Sequence, residues 1–187
     1  MTKKQLVLAS GSPRRKELLS HLGYDFSIIC TDVEEQQSND ESAQQYVARL
    51  SQDKALAGVA LAPDSVVVGS DTIVVVDGVV LEKPADLSHA KQMLMQLSDR
   101  SHQVMTAVTV ANKEKKKTVV VTTNVWFKRL SEEEIEQYWH TGEPCDKAGS
   151  YGIQGIGGRF VTRIEGSYHA VVGLPLFETD QLLHEFL

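Results

Sequence analysis

From Val66 to Val76 the chain reads VVVGSDTIVVV, seven of the eleven residues being valine or isoleucine, and Asp77-Gly78 follows before Val79-Val80-Leu81. β-Branched runs suit strands, and Asp-Gly between two of them is a strong signal for a two-residue hairpin turn. The pattern predicts apolar strands over Val66–Val68 and Ile73–Val76, interrupted by Gly69-Ser70-Asp71-Thr72, with Val79–Leu81 returning along the second. Any fold of this chain therefore has a sheet core with a carboxylate, Asp71, planted in it. An unpaired buried carboxylate costs roughly several kcal/mol, so Asp71 needs a cation, a metal or hydrogen-bond donors. A carboxylate capping a bulge at Gly69 is the plain structural alternative. Acids within strands are uncommon and tend to mark sites, which favours the functional reading.

Strands and helices alternate around this segment. Leu6–Ala9 is a short strand. Ser12 then suits a helix N-cap and Pro13 the first helical position, with Leu18, Leu19 and Leu22 on one face and Gly23 as the stop. Tyr24–Cys30 reads as a second strand leading into the acidic segment Thr31–Glu35. A helix runs from Asp40 or Ser42 to about Leu61, and another from Ser88 to near Ser98. His102–Ala111 and Thr118–Leu130 form a long hairpin whose charged loop, Asn112–Lys117, is a solvated tip. Ser131 with Glu134 makes a capping box opening a helix to about Thr141. Strands at Phe160–Ile164 and Tyr168–Val172 flank a Gly166-Ser167 turn, and a helix over Leu176–Phe186 closes the chain. Two explicit hairpins within this mixture predict an α/β or α+β fold with a partly antiparallel sheet, as one domain or as two small lobes sharing a cleft.

Composition narrows the function. With 187 residues and 42% hydrophobic content the chain can bury an ordinary core. A formal net charge of -6 disfavours nucleic acid as a partner. Cys30 and Cys145 stand alone, without the spacing of a zinc site or disulfide framework, which fits a reducing compartment. The apolar part of MTKKQLVLASGSPRR is too short for a signal peptide, and no run approaches the length of a membrane span; the expectation is a cytoplasmic protein free of the membrane.

Several charges resist a local explanation. Ala43, Val47, Leu50, Ala57 and Leu61 fall on one helical stripe with Lys54 in its middle, so a lysine faces the protein. Snorkelling of its alkyl stem and phosphate binding account for it equally well. Arg14 and Arg15 occupy a helix N-terminus, where the dipole repels cations unless an anion binds between them. Lys83 before Pro84 and Glu34-Glu35 in the acidic loop carry little weight alone. Gly149–Gly158, GSYGIQGIGG, permits close backbone approach to a ligand but has neither a GxGxxG fingerprint nor a Walker A motif. Cations (Arg14, Arg15, Lys54, Lys83, Lys147) and carboxylates (Glu35, Asp71, Asp146) are together the mixture that phosphoanhydride chemistry requires. The cations neutralise a polyphosphate and the carboxylates hold a hard divalent ion, Mg²⁺ or Mn²⁺.

Six segments, SGSPRRKELL, DVEE, the DKA of the long helix, GSDTIV, EKP and DKAGSYGIQG, resemble the Maf family of nucleoside triphosphate pyrophosphatases, in order and over nearly the whole chain. The resemblance implies one domain over residues 1–187. Its fold would be a curved mixed β-sheet flanked by helices, with two lobes around a deep cleft, and it would be dimeric. It implies hydrolysis between the α and β phosphates, with Asp71 as proton acceptor. Lys54, Lys83 and Glu35 match other cleft residues; the expectation built on this is that Glu35 and Asp71 hold the metal and that Ser10, Arg14, Arg15, Lys54, Thr72, Lys83 and Gln154 contact substrate. Arg14, Thr72 and Gln154 match positions linked to substrate choice and look like the branch acting on dTTP and UTP; the 7-methyl-GTP branch typically has Trp, Gln and Glu there. Neutral Gln154 can donate to and accept from a uracil or thymine edge. Ser70 departs from the commoner GADT form. The competing reading is a nucleotide-binding regulator of cell division with incidental hydrolysis.

Overall fold

The computed structural model describes residues 4–187; Met1–Lys3, the start of the segment weighed above as a signal peptide, lie outside the described residues. In chain order the elements are β1 (Leu6–Leu8), α1 (Pro13–Ser20), β2 (Phe26–Ile28), α2 (Ala43–Leu61), β3 (Val66–Val76), β4 (Val79–Leu81) and α3 (Leu87–Leu97). There follow β5 (Ser101–Ala111), β6 (Lys116–Phe127), α4 (Glu132–His140), three 3₁₀ turns, β7 (Val161–Glu165), α5 (Tyr168–Val172) and α6 (Leu176–Phe186). Seven strands pair in the order β2-β1-β3-β5-β6-β7, with β4 on β3. β1 runs parallel to β2 and β3, whereas β3–β4 and β6–β7 are antiparallel, so the sheet is mixed as the sequence predicted.

Local signals behave as expected where they are strong. Ser12 caps α1 by accepting the Arg15 N–H, with Pro13 in the first turn. Full capping boxes form at Ser42/Gln45 and Ser131/Glu134. Asp77 and Gly78 both take positive φ, 51° and 75°, the requirement of a type I′ hairpin turn.

Weaker signals are corrected. β3 is one continuous strand through Gly69–Thr72, because Val66–Val68 are held in register with Leu6–Leu8 at one end and Val74–Val76 with the hairpin partner at the other. Tyr168–Val172 is a helical turn instead of a strand. Ser167 accepts the Ala170 N–H on Oγ and the Val171 N–H on its carbonyl, and this local capping wins over a short ambiguous apolar run. The predicted strand at Tyr24–Cys30 contracts to β2, and the second strand of the long hairpin ends at Phe127. On α2 the buried face is Tyr46, Val47, Leu50, Ser51, Ala55 and Gly58, while Leu61 is exposed. The stripe is therefore rotated, and Lys54 stands at its flank.

The chain divides into two compact units, and the boundary falls within β3 between Asp71 and Thr72. The first comprises residues 1–71, 106–121 and 173–187. Val7, Ala9 and Val67 form one apolar cluster in it, with Ile29, Val59 and Ala62 packed on them. Its lysine-rich hairpin tip is anchored. Lys113 pairs with Asp64, Lys117 with Glu185, and Lys115 donates to the Glu185 carbonyl at 2.8 Å while lying over the Phe186 ring. Cations at the C-terminal end of α6 suit its dipole.

The second unit comprises residues 72–105 and 122–172 and has a core of its own. Met93, Leu94 and Leu97 of α3 pack with Val74, Val125, Phe127, Ile135, Tyr138, Tyr151 and Phe160. Each such large side chain removed from water contributes about 1.5–3 kcal/mol. Among the described residues, no helix is long and apolar enough to cross a membrane.

Candidate active site

Lys54 is what Asp71 needs. On α2, Lys54 directs its ammonium between two carboxylates, 2.7 Å from Asp71 Oδ1 and 2.8 Å from Glu35 Oε1. Asp71 is buried at 7% exposure. Snorkelling does not describe Lys54, whose side chain is only 13% exposed and ends on an inward carboxylate.

A close helix–strand approach produces this contact. A Cβ added at Gly69 would stand 2.5 Å from both the Ala55 nitrogen and the Ser51 carbonyl oxygen of α2. Only glycine allows that approach, two residues before Asp71 and opposite the turn that bears Lys54. Ser51 and Thr109 hydroxyls then bond at 2.8 Å beside it, satisfying polar groups buried by the packing.

Arginine enters from α1. Ser10 Oγ accepts the Ser12 N–H at 3.1 Å, Ser12 caps the helix, and Arg15 Nε donates to the Gly173 carbonyl at 2.8 Å. The Ser70 hydroxyl lies 2.9 Å from the Ala107 carbonyl and 3.1 Å from the same Gly173 carbonyl. Burial is the largest influence on Arg15 and lowers its pKa. Asp71 opposes it, Arg14 adds to it, and Glu35 opposes it. Arg14 is half-buried in the same first turn.

Asp71 sits under competing influences. Burial, the largest, raises its pKa above the ordinary carboxylate value, and the charges of Lys54 and Arg15 hold it back. A carboxylate that burial makes more basic, facing the cations Lys54 and Arg15, is a better proton acceptor than a free one.

Ser10, Arg14, Arg15, Glu35, Lys54 and Asp71 thus all belong to the first unit, where Glu35, Lys54 and Asp71 are in direct contact. The remaining predicted residues belong to the second. Thr72 follows Asp71 in β3 and is half-buried, Lys83 is exposed just before Pro84, and Gln154 is exposed in a turn. Lys147 and Asp146 pair with each other, and Lys147 also donates to the Glu143 carbonyl at 2.9 Å. Those two charges thereby acquire a local structural explanation. Sequence reasoning missed Ser70 and Gly173 as anchors. A carbonyl contact from a residue 158 positions away leaves no trace in composition or periodicity. Gly69 was visible as a glycine within a strand pattern.

An α/β chain that turns a lysine onto a buried aspartate beside a helix N-terminal arginine pair has the makings of an enzyme for phosphorylated substrates. The family model described as Maf-like protein matches residues 5–186, and the chain belongs to the Maf family. It is 72% identical over 183 residues to a dTTP/UTP pyrophosphatase of Vibrio parahaemolyticus, covering 97% of each chain. It is 70% identical over 184 residues to the protein of that name from Vibrio vulnificus, covering 98% of this chain and 99% of the other. With that of Shigella sonnei it shares 58% identity over 182 residues, covering 97% of this chain and 92% of the other.

Proposed function

We propose that the chain is a nucleoside triphosphate pyrophosphatase that hydrolyses dTTP and UTP to the monophosphate and pyrophosphate. The observation that carries the reading is the buried Asp71 carboxylate, 2.7 Å from the Lys54 ammonium and raised in pKa by burial. Near-full-length similarity to proteins named dTTP/UTP pyrophosphatase supports it.

In this reading a water oxygen adds to the α phosphorus and its proton passes to Asp71. The bond to the bridging oxygen then breaks, and pyrophosphate leaves with that oxygen. Lys54, Lys83, Arg14 and Arg15 stabilise charge on the phosphates. Ser10 joins the α1 N-terminal amides in receiving them. Thr72 and Gln154 contact the nucleoside, Gln154 matching a pyrimidine edge.

Glu35 and Asp71 would hold a divalent ion. Both carboxylates converge on one cationic point, the Lys54 ammonium, so their oxygens already favour positive charge. Among the described residues no cluster of three or more His, Cys, Asp or Glu could hold a metal. Two carboxylates fit Mg²⁺ or Mn²⁺ arriving with the nucleotide, since magnesium is commonly bound by one or two carboxylates plus substrate phosphates. When bound, the ion supplies charge neutralisation on the triphosphate.

Residues 1–187 acting as one catalytic domain and a homodimer rest on the family resemblance, and a cytoplasmic location on the cysteine usage and apolar runs of the sequence; together they complete the proposal. Incubating pure protein with UTP or dTTP and Mg²⁺ tests the reaction. Pyrophosphate in equal amount to monophosphate, abolished by EDTA and restored by Mg²⁺ or Mn²⁺, is the expected result. Release of orthophosphate, or intact UTP, overturns it. A sedimentation mass of twice 20.7 kDa checks the dimer.

A further inference from the structure

Gln154 lies in an exposed turn of the second unit with no regular secondary structure to hold it. A side chain that discriminates by hydrogen bonds needs a fixed backbone, because each degree of loop freedom is lost on binding and lets wrong partners be accommodated. The turn is fixed from outside by two side chains. Tyr138 of α4 accepts the Gly152 N–H on its hydroxyl at 3.2 Å, before Gln154 in the chain. Glu143, in the 3₁₀ turn Glu143–Asp146, accepts the Gly157 N–H on Oε2 at 3.3 Å, after it.

The contact is shaped as well as bonded. A Cβ added at Gly155 would lie 1.7 Å from Glu143 Oε1, so the Glu143 carboxylate fills the space that any side chain at position 155 would need. Burial chiefly, with the charge of Glu143 adding to it, raises the pKa of the Tyr138 hydroxyl. Tyr138 is fully buried on Phe160, with ring centroids 5.0 Å apart and nearly perpendicular, so its hydroxyl is delivered from a rigid support. Glu143 is steadied in turn by Lys147, which donates to its carbonyl.

We propose that Tyr138 and Glu143 are positioning residues that clamp the Gly152–Gly157 turn on both sides of Gln154 and thereby set pyrimidine selectivity. The inference rests on the function proposed above and adds to it a pair of residues that touch neither substrate nor the reacting atoms. It assigns to the motif GSYGIQGIGG a rigid presentation of one glutamine.

The test uses the full-length protein with Mg²⁺ and the variants Tyr138→Phe, Glu143→Ala and Glu143→Gln. Tyr138→Phe keeps the ring packing and loses the acceptor; Glu143→Gln keeps an acceptor oxygen for Gly157, whereas Glu143→Ala does not. Expected for Tyr138→Phe and Glu143→Ala is a rise in KM for UTP and dTTP of about 5-fold or more, with kcat within about 3-fold of wild type. Their preference for UTP over CTP should shrink, and the amides of residues 152–157 should exchange faster with solvent. Glu143→Gln should restore KM, selectivity and exchange protection towards wild type. Unchanged KM and selectivity in both variants, or equal loss with Glu143→Gln and Glu143→Ala, overturns the clamp while leaving the pyrophosphatase reading intact. Wild-type protein that turns over neither UTP nor dTTP overturns both. Should Glu143→Ala fold poorly, Tyr138→Phe carries the same comparison, since it removes one oxygen from an otherwise retained ring.

Discussion

Lys54 Nζ stands 2.7 Å from Asp71 Oδ1, joining the middle of a helix to the middle of a strand. Neither residue is stable alone in that place, because a buried carboxylate and an inward ammonium each lose most of their hydration. Removing one partner therefore changes the chemistry of the other.

Asp71→Asn separates catalysis from stability. The amide keeps the shape but takes no proton, so pyrophosphate release should fall at least about 100-fold while nucleotide binding persists. Burial raises the Asp71 pKa, so the folded chain holds that proton more tightly than the unfolded chain does. Its contribution favours folding at low pH and is lost as pH rises through the folded pKa. The Tm of Asp71→Asn should accordingly gain on wild type as pH rises through the carboxylate range. A kcat close to wild type, or an Asp71→Asn Tm that falls relative to wild type with rising pH, contradicts the role given to Asp71.

Lys54→Met removes the larger of the two cationic influences that oppose burial at Asp71. The Asp71 pKa should rise further, moving the acidic limb of the kcat/KM profile for UTP upward by roughly 1–2 pH units, the usual effect of losing a close opposite charge. Stopped-flow or steady-state rates across pH measure this directly. An unmoved limb would mean that a different group controls it.

Gly69→Ala should act on the same pair from behind. The new Cβ meets the Ala55 nitrogen and Ser51 oxygen at 2.5 Å, and backbone atoms cannot rotate away as a side-chain tip can. Overpacking of this kind costs about 1–3 kcal/mol, and here it pushes α2 off β3 and draws Lys54 away from Asp71. Lower Tm together with lower kcat is expected. Full activity with wild-type Tm would show that the approach is less tight than the geometry states.

His102 offers a pH test remote in sequence from those charges. It is 3% exposed, bonds the Tyr151 hydroxyl through Nε2 at 2.6 Å and meets Phe127 edge-on, while Nδ1 is buried without a hydrogen-bond partner among the described residues. Burial, helped by Arg100, holds its pKa down to about 4 from an ordinary 6.5. The neutral form is the one that folds, so its contribution is fully present above about pH 6.5 and is lost as pH falls towards 4. Chemical denaturation between these limits should show wild type losing stability faster than His102→Gln, which does not titrate. Parallel losses in the two proteins would remove His102 from the account.

The parts of this molecule that were legible in its sequence are those in which a few neighbouring residues decide the outcome. Asp77-Gly78 specified a turn because its φ values are set within two residues, and Ser131 with Glu134 specified a helix start because the capping bonds are local. The mixed sheet followed from the hairpins, and the family from motifs spread over the chain. Asp71 announced itself because a charge among valines violates the burial pattern, and Lys54 because its position fell on an apolar stripe.

What folding alone decided is who meets whom. No local rule could show that β3 continues through Gly69–Thr72, since the registers holding it come from Leu6–Leu8 and Val79–Leu81. The apolar spacing of α2 predicts Leu61 inward, yet the buried face holds Tyr46, Ser51 and Gly58 instead. That Lys54 answers Asp71, that Gly173 anchors Arg15 and that Glu143 reaches the turn bearing Gln154 are all facts of packing. Sequence records the demand of each buried charge or free N–H for a partner; only the three-dimensional chain, by bringing distant residues within hydrogen-bond reach, selects which partner meets it.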